Sequence, residues 1–277
     1  MIRLKQRLSA GLRICLPLVM ATTVSWADTP AATAKDLNEQ TVMALAWMQS
    51  SAEYRELVYQ AYNLAGMIVD HAVATAKPGG KPLAIIADLD ETLLDNIAYN
   101  AGLVGHEDQF SPRTWGQWEE LGSAAAMPGA GEFLNSVKAK GVLVYYVTNR
   151  SQANLDGTLK NLVSLGFPYA DGNHVLATSG SGDKQARFDL IAKDHEVALY
   201  MGDNANDLPL GTYHKSMKER NAIVDQNKAK FGTQFVVLPN PVYGDWEGAL
   251  ADNYFRLPPP QRDEARKAAL KVWTAKP

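Results

Sequence analysis

Leu83-Ala84-Ile85-Ile86-Ala87-Asp88-Leu89-Asp90-Glu91-Thr92 decides the fold class of this 277-residue chain. Five apolar residues stop abruptly at two carboxylates in an i, i+2 pair, with a hydroxyl close behind. A short apolar run followed by turn residues reads as a buried strand of a parallel sheet. Ligands of such sheets lie just outside the carboxyl ends of the strands. The stretch therefore places a nucleophile-grade carboxylate, Asp88, and a second carboxylate, Asp90, where a substrate would sit. Alone, an Asp-x-Asp pair after a strand is more often a turn or a cap.

Working outward, the pattern repeats. Residues 142–147, 174–177, 197–201 and 235–238 read as further strands, and 130–140, 153–165, 184–192 and 217–230 as helices between or beside them. Such alternation predicts an α/β fold, a Rossmann-like parallel sheet with helices on both faces. Residues 36–76 carry Val42, Leu45, Trp47, Val58, Ala61, Tyr62 and Ala65 at helical spacing. This N-terminal helical segment is expected to pack on its own sheet or on a second copy of the chain, which leaves a homodimer open. Residues 96–128 are polar, aromatic and irregular, longer than an ordinary βα loop, and are expected to form a small cap insertion over the active end of the sheet. A basic amphipathic helix over 260–273 is expected to pack on the outside.

The N-terminus is separate. Arg3, Lys5, Arg7 and Arg13 precede an apolar stretch over 14–24, and Ser25-Trp26-Ala27 offers small residues for cleavage after Ala27. This reads as a signal peptide over 1–27, too short to span a bilayer as a retained helix. The expectation is an exported protein, most simply periplasmic, with no stable membrane anchor and a single domain over 28–277. The one cysteine, Cys15, would leave with the signal, so the mature chain would offer no thiol and no disulfide. Loss of the four cations moves the formal net charge from −3 to about −7. An acidic surface of that kind argues against a nucleic acid polymer as partner.

Four strand-end segments converge on one sheet edge: Asp88–Thr92, Thr148-Asn149-Arg150, the loop Ser179-Gly180-Ser181-Gly182-Asp183-Lys184, and Gly202-Asp203-Asn204-Ala205-Asn206-Asp207. So many carboxylates in one cleft would repel each other without a cation. Magnesium takes hard oxygen ligands and is typically held by one or two carboxylates with substrate phosphate, and Asp88 and Asp203 are placed to supply them. With charge neutralised, Asp88 can attack phosphorus to form an aspartyl-phosphate. Asp90 can serve as general acid and then base. Thr148, Asn149 and Lys184 are candidates to bind the phosphoryl oxygens. Glu91 and Asp95 read either as support for this site or as simple helix-start acids. Gly180-Ser181-Gly182 lacks the spacing of a nucleotide-binding P-loop, and the five histidines show no metal-ligand spacing.

These segments resemble the four motifs of the haloacid dehalogenase (HAD) superfamily of phosphohydrolases. The residues Ile86–Asn96 with Tyr99, and Tyr200–Asp207, resemble the bacterial class C acid phosphatases in particular. Thr114-Trp115, Pro128-Gly129-Ala130, Tyr146–Arg150 and Asn240-Pro241-Val242-Tyr243-Gly244 are similar to the same family, so the likeness runs over about residues 40–260. The resemblance implies a HAD-like fold and a magnesium-dependent phosphomonoesterase, acid-active and often acting on 5′-nucleotides. It implies Asp88 as nucleophile, Asp90 as acid and base with its main-chain carbonyl on the metal, and Asp203 and Asp207 at the metal site. It also implies that Tyr99, Trp115 and Tyr243 line a slot for the ring of a small-molecule phosphomonoester. Two features depart from the family pattern: no lipoprotein cleavage motif surrounds Cys15, and Leu208-Pro209 follows Asp207 where an aromatic is common. Two rivals share the fold, a phosphotransferase to alcohol acceptors and a non-enzymatic phosphate-binding or storage protein. The presence of Asp88 counts against the second.

Overall fold

A computed structural model describes residues 31–178 and 180–275. The signal segment read over 1–27, and Ser179 of the third strand-end loop, lie outside the described residues. The helical segment expected over 36–76 is three helices, α1 (Ala34–Glu39), α2 (Val42–Ser50) and α3 (Ala52–Thr75). Side-chain caps set two of the starts: Thr33 and Asp36 form a capping box at α1, and Ser51 Oγ accepts the Tyr54 N–H at α3. The apolar run 83–87 is β1 (Leu83–Ala87), buried at every residue after the first.

The stretch 96–128 is more regular than its composition suggests. It is bracketed by a two-stranded antiparallel pair, β2 (Leu94–Asp95) and β3 (Ala125–Ala126), and holds α4 (Ile97–Ala101) and α5 (Pro112–Leu121). The alternating region follows as α6 (Ala130–Ala139), β4 (Leu143–Ser151), α7 (Leu155–Ser164), β5 (Val175–Thr178), α8 (Gln185–Asp194), β6 (Glu196–Gly202), α9 (Met217–Gln226) and β7 (Phe235–Val237). Two further helices close the described chain, α10 (Asp245–Gly248) and α11 (Pro259–Ala268). The last of these ends five residues short of the expected 273. Leu270, Val272 and Trp273 beyond it are exposed, so no packing partner prolongs the helix.

The five long strands form one parallel sheet in the order β5-β4-β1-β6-β7. The chain runs outward from β1 to β4 and β5, then crosses back to β6 and β7. Strand order thus reverses beside β1, and ligands of open sheets bind in the crevice at that reversal. Strand alternation divides the core. Ile85, Ala87, Val144, Tyr146, Leu199 and Met201 pack on the face covered by α3, α6 and α7, while Ile86, Val147 and Tyr200 pack with Phe188 and Ile191 of α8 on the other. The N-terminal segment therefore packs on its own sheet. Val58, Ala65 and Val69 of α3 are fully buried there, and burying a Val stabilises by about 1.5–3 kcal/mol. Tyr62 of the same helix donates its hydroxyl to the Thr92 carbonyl at 2.5 Å, which ties α3 to the loop after β1.

Candidate active site

At the end of β1 the ladder continues one residue further, because the Asp88 N–H donates to the Met201 carbonyl at 2.9 Å. Asp88 thereby lies beside the end of β6, which delivers Asp203 and Asp207. Lys184, just before α8, is 2 % exposed and reaches both Asp88 Oδ1 and Asp207 Oδ1, the latter at 2.7 Å. Carboxylate oxygens of Asp88, Asp203 and Asp207 lie within 4.8 Å of one another. Asp207 Oδ2 also accepts the Asn204 N–H at 2.8 Å, and Asp203 Oδ2 accepts from Asn240 Nδ2 at 2.7 Å. Gly202 makes this crowding feasible, since a Cβ there would stand 2.2 Å from the Asp207 Cβ.

The electrostatics follow from burial. Desolvation pushes the Asp88 carboxyl up to about 7; Lys184 opposes that rise, and Asp207 and Asp90 add to it. Asp203 is also raised, by burial and then by Asp207 and Asp88. Burial alone would lower Lys184, but Asp207 and Asp88 outweigh it and hold the ammonium above its ordinary value. Two of the three clustered carboxylates, Asp88 and Asp207, thus share one ammonium, and Asp203 beside them has none.

Asp90 points elsewhere. Its Oδ1 takes Arg150 Nε at 2.8 Å and Asn96 Nδ2 at 2.9 Å, so its side chain stands outside the three-carboxylate cluster. Glu91, read from sequence as support or helix start, is fully buried in the left-handed region at φ 55° and begins no helix. Its carboxylate accepts the Asn96 N–H at 2.7 Å and the Tyr243 hydroxyl. Desolvation first, and Asp90 second, raise this buried acid well above its usual range.

Among the phosphate candidates, Lys184 and Asn149 line the cavity, while Thr148 is fully buried with its Oγ1 accepting the Arg150 N–H at 3.1 Å. Arg187 of α8 braces this loop by donating to the Thr148 carbonyl and to Asn149 Oδ1, the latter at 2.7 Å. Asn149 Nδ2 and Asn206 Nδ2 both donate to the Gly182 carbonyl at 3.0 Å, which gives the glycine-rich loop a fixed seat beside the site.

The cap supplies the opposite wall. Tyr99 and Trp115 meet edge-on at 5.1 Å between centroids, with Phe110 6.1 Å from Trp115. Tyr243 lines the same cavity with its hydroxyl on Glu91, and its ring forms no pair with those three among the described residues. The cap is seated by Asn38 of α1, whose Nδ2 serves the Leu103, His106 and Asp108 carbonyls at 2.8–3.0 Å. Buried Glu119 of α5 seats its other end, accepting Asn154 Nδ2 at 2.7 Å. The cavity measures about 730 Å³, within the range that takes small molecules. Its rim includes Arg262 and Arg266 of α11, so the basic face of that outer helix turns inward. Arg266 donates to Glu247 at 2.6 Å and to the Leu37 carbonyl at 2.9 Å.

This geometry has close relatives. The family model described as HAD superfamily, subfamily IIIB (Acid phosphatase) matches residues 3–246. The chain belongs to that family. The class C acid phosphatase from Bacillus anthracis superposes on this acid phosphatase family member with a TM-score of 0.82 at 39% identity, covering 86% of this chain and 99% of that one. A crystal structure of the same Bacillus anthracis enzyme with tungstate bound matches at 0.82 and 38% identity over the same shares. Acid phosphatase 1 of Solanum lycopersicum is 28% identical over 167 residues. That match is 57% of each chain, so this protein spans little more than half the length of that curated relative.

Phosphatases of the HAD superfamily use a divalent metal, and the donor set here fits one. Asp88, Asp203 and Asp207 are all hard oxygen donors, their oxygens lie close enough to share an ion, and a single ammonium leaves them net negative. No histidine or cysteine belongs to the cluster among the described residues. Sequence reasoning missed Asn96 and the Asn240–Asp203 contact, and quoted Arg150 without a role. Each acts through a partner 37 to 60 residues away or in a turn, so only the Asn-Pro and Thr-Asn-Arg motifs could have flagged two of them.

Proposed function

We propose that this protein hydrolyses small phosphomonoesters through an aspartyl-phosphate on Asp88. The observation that carries the reading is one carboxylate, Asp88, held at a strand end by a buried lysine inside a cavity that a second carboxylate, Asp90, also lines. An Asp88 oxygen attacks phosphorus as the ester P–O bond breaks, and Asp90 delivers a proton to the departing oxygen. Asp90 then takes a proton from water, whose oxygen bonds to phosphorus as the Asp88–phosphorus bond breaks. Lys184 and Asn149 line the cavity and would meet the phosphoryl oxygens, and Thr148, whose hydroxyl donates to no partner among the described residues, would back them.

Magnesium is the ion best suited to the carboxylates, with Asp88, Asp203 and Asp207 as side-chain ligands and the Asp90 carbonyl beside them. Bound there, it would supply positive charge against the phosphoryl oxygens. Tungstate, held by the Bacillus anthracis relative, is a tetrahedral oxyanion like phosphate, which supports phosphate as the group seated here. Tyr99, Trp115, Phe110 and Tyr243 suit a flat leaving group, so 5′-mononucleotides are proposed among the substrates. The basic and apolar stretch over 1–27 supports export, most simply to the periplasm.

The test is phosphate release from a 5′-mononucleotide and an aryl phosphate, with and without magnesium, for the natural chain and Asp88→Asn. Release that needs magnesium and disappears in the variant supports the reading. Unchanged release from Asp88→Asn overturns it.

A further inference from the structure

Two hydrogen bonds and an ion pair converge on one oxygen of Asp90. Arg150 Nε donates to Oδ1 at 2.8 Å, Arg150 Nη2 stands 2.8 Å from the same atom, and Asn96 Nδ2 donates to it at 2.9 Å. Among the described residues no hydrogen bond reaches Oδ2, although Asp90 lines the cavity. The asymmetry is built from buried parts. Arg150 is 1 % exposed, and its Nη2 also donates to Asn96 Oδ1 at 2.9 Å. Asn96 is in turn fixed by Trp118 Nε1 at 2.8 Å and by its own N–H on Glu91 at 2.7 Å. The guanidinium carbon lies 5.9 Å from the Trp115 ring, so one arginine touches both Asp90 and the aromatic wall of the cap.

A carboxylate oxygen already accepting from two N–H groups, with a guanidinium nitrogen beside it, has both lone pairs engaged and none left to hold a proton well. We infer that Arg150, with Asn96, is a positioning residue that saturates Asp90 Oδ1 and so makes Oδ2 the atom that carries the catalytic proton. The inference rests on the proposed role of Asp90 as acid and base. In the first step the proton on Oδ2 moves to the departing oxygen while the ester P–O bond breaks and the Asp88–phosphorus bond forms. In the second a water proton returns to Oδ2 as the water oxygen bonds to phosphorus and the Asp88–phosphorus bond breaks. Oδ1 keeps its two donors throughout, so the carboxyl group need not rotate between steps.

Leaving groups of different basicity separate this role from a merely structural one. 4-Nitrophenyl phosphate releases a stable phenolate and needs little proton donation, whereas glycerol 2-phosphate must be protonated as it leaves. The measurement is kcat and KM on both substrates, with magnesium, for Asp90→Asn, Arg150→Gln, Arg150→Lys and Asn96→Ala. Asp90→Asn should slow glycerol 2-phosphate far more than the aryl ester. Arg150→Gln should do the same, widening the kcat ratio on the order of tenfold or more with little change in either KM. Arg150→Lys, which keeps the charge but loses the fork, and Asn96→Ala should widen it less, and they carry the test if Arg150→Gln does not fold.

Equal slowing of both substrates by the folded Arg150 and Asn96 variants, beside a leaving-group-dependent Asp90→Asn, overturns the positioning role and leaves the acid/base reading intact. An unchanged ratio in Asp90→Asn overturns the acid/base reading and the inference with it.

Discussion

Asp88 and Asp207, just past the ends of β1 and β6, and Lys184 before α8 are almost wholly buried, whereas Tyr99, Trp115 and Phe110 on the cap keep part of each ring open. The first group is held by backbone at the ends of two neighbouring strands and by ion pairs that admit little movement. The second is held by edge-on ring contacts, worth about 0.5–1.5 kcal/mol each beyond area burial. One side of the cavity therefore has a single workable geometry, set by the sheet. The other can change its residues at small cost to the fold, and that is where substrate preference can drift while the chemistry stays.

Disturbing the buried side should cost most. Lys184→Met removes the one ammonium among three carboxylates, and phosphate release should fall by roughly two to three orders of magnitude. The metal-free variant should also melt earlier, because breaking one partner of a buried pair strands the other charge. A mild loss of activity would break the comparison, for it would show the strand-end group tolerating change as the cap does.

The cap side should respond selectively. Trp115→Ala should weaken a 5′-mononucleotide by on the order of 1–3 kcal/mol of stacking, read as a rise in KM of about fivefold or more. KM for glycerol 2-phosphate should stay put. Equal changes on both substrates would assign Trp115 to the architecture of the site instead of its selectivity.

The smallest effect sharpens the electrostatic half. Asp88 is raised to about 7 from its ordinary 3.8 by burial, against the pull of Lys184 and with the push of Asp207 and Asp90. Folding then favours the protonated carboxyl. That contribution to stability is complete below the ordinary value and is lost as pH rises through about 7. The metal-free protein should melt several degrees higher near pH 5 than near pH 8, and magnesium should narrow the gap by neutralising the carboxylates. Thermal melts with and without the ion check this, and a gap that magnesium leaves unchanged would mean that other groups set the pH dependence.

What could be read in advance follows the same division. The β1 run ending at Asp88, and the repeats of that pattern at Thr148 and Asp203, are local signals, so the sheet and its carboxylates were legible. Tyr99, Trp115 and Tyr243 came from resemblance, and the structure gives them unlike settings: two rings in contact, and a third anchored by its hydroxyl to Glu91. The breaks within 36–76 carry no Gly or Pro, and only caps such as Ser51 mark them. Asn96 and Arg150 were hidden for another reason. An arginine at a strand end ordinarily reads as solvated, and nothing local says that this one folds back 60 residues to reach Asp90.

The contacts of α1 with α11 add a consequence for the order of assembly. Arg266 reaches the Leu37 carbonyl and Gln40 Oε1 across more than 220 residues, and Gln40 reaches Asp263. Contacts of such separation carry the largest loop-closure cost and form late. A refolding chain should therefore hold its carboxylates in register while the rim is still open, and cation binding should return ahead of tight substrate binding. The enzyme would be charged before it is selective.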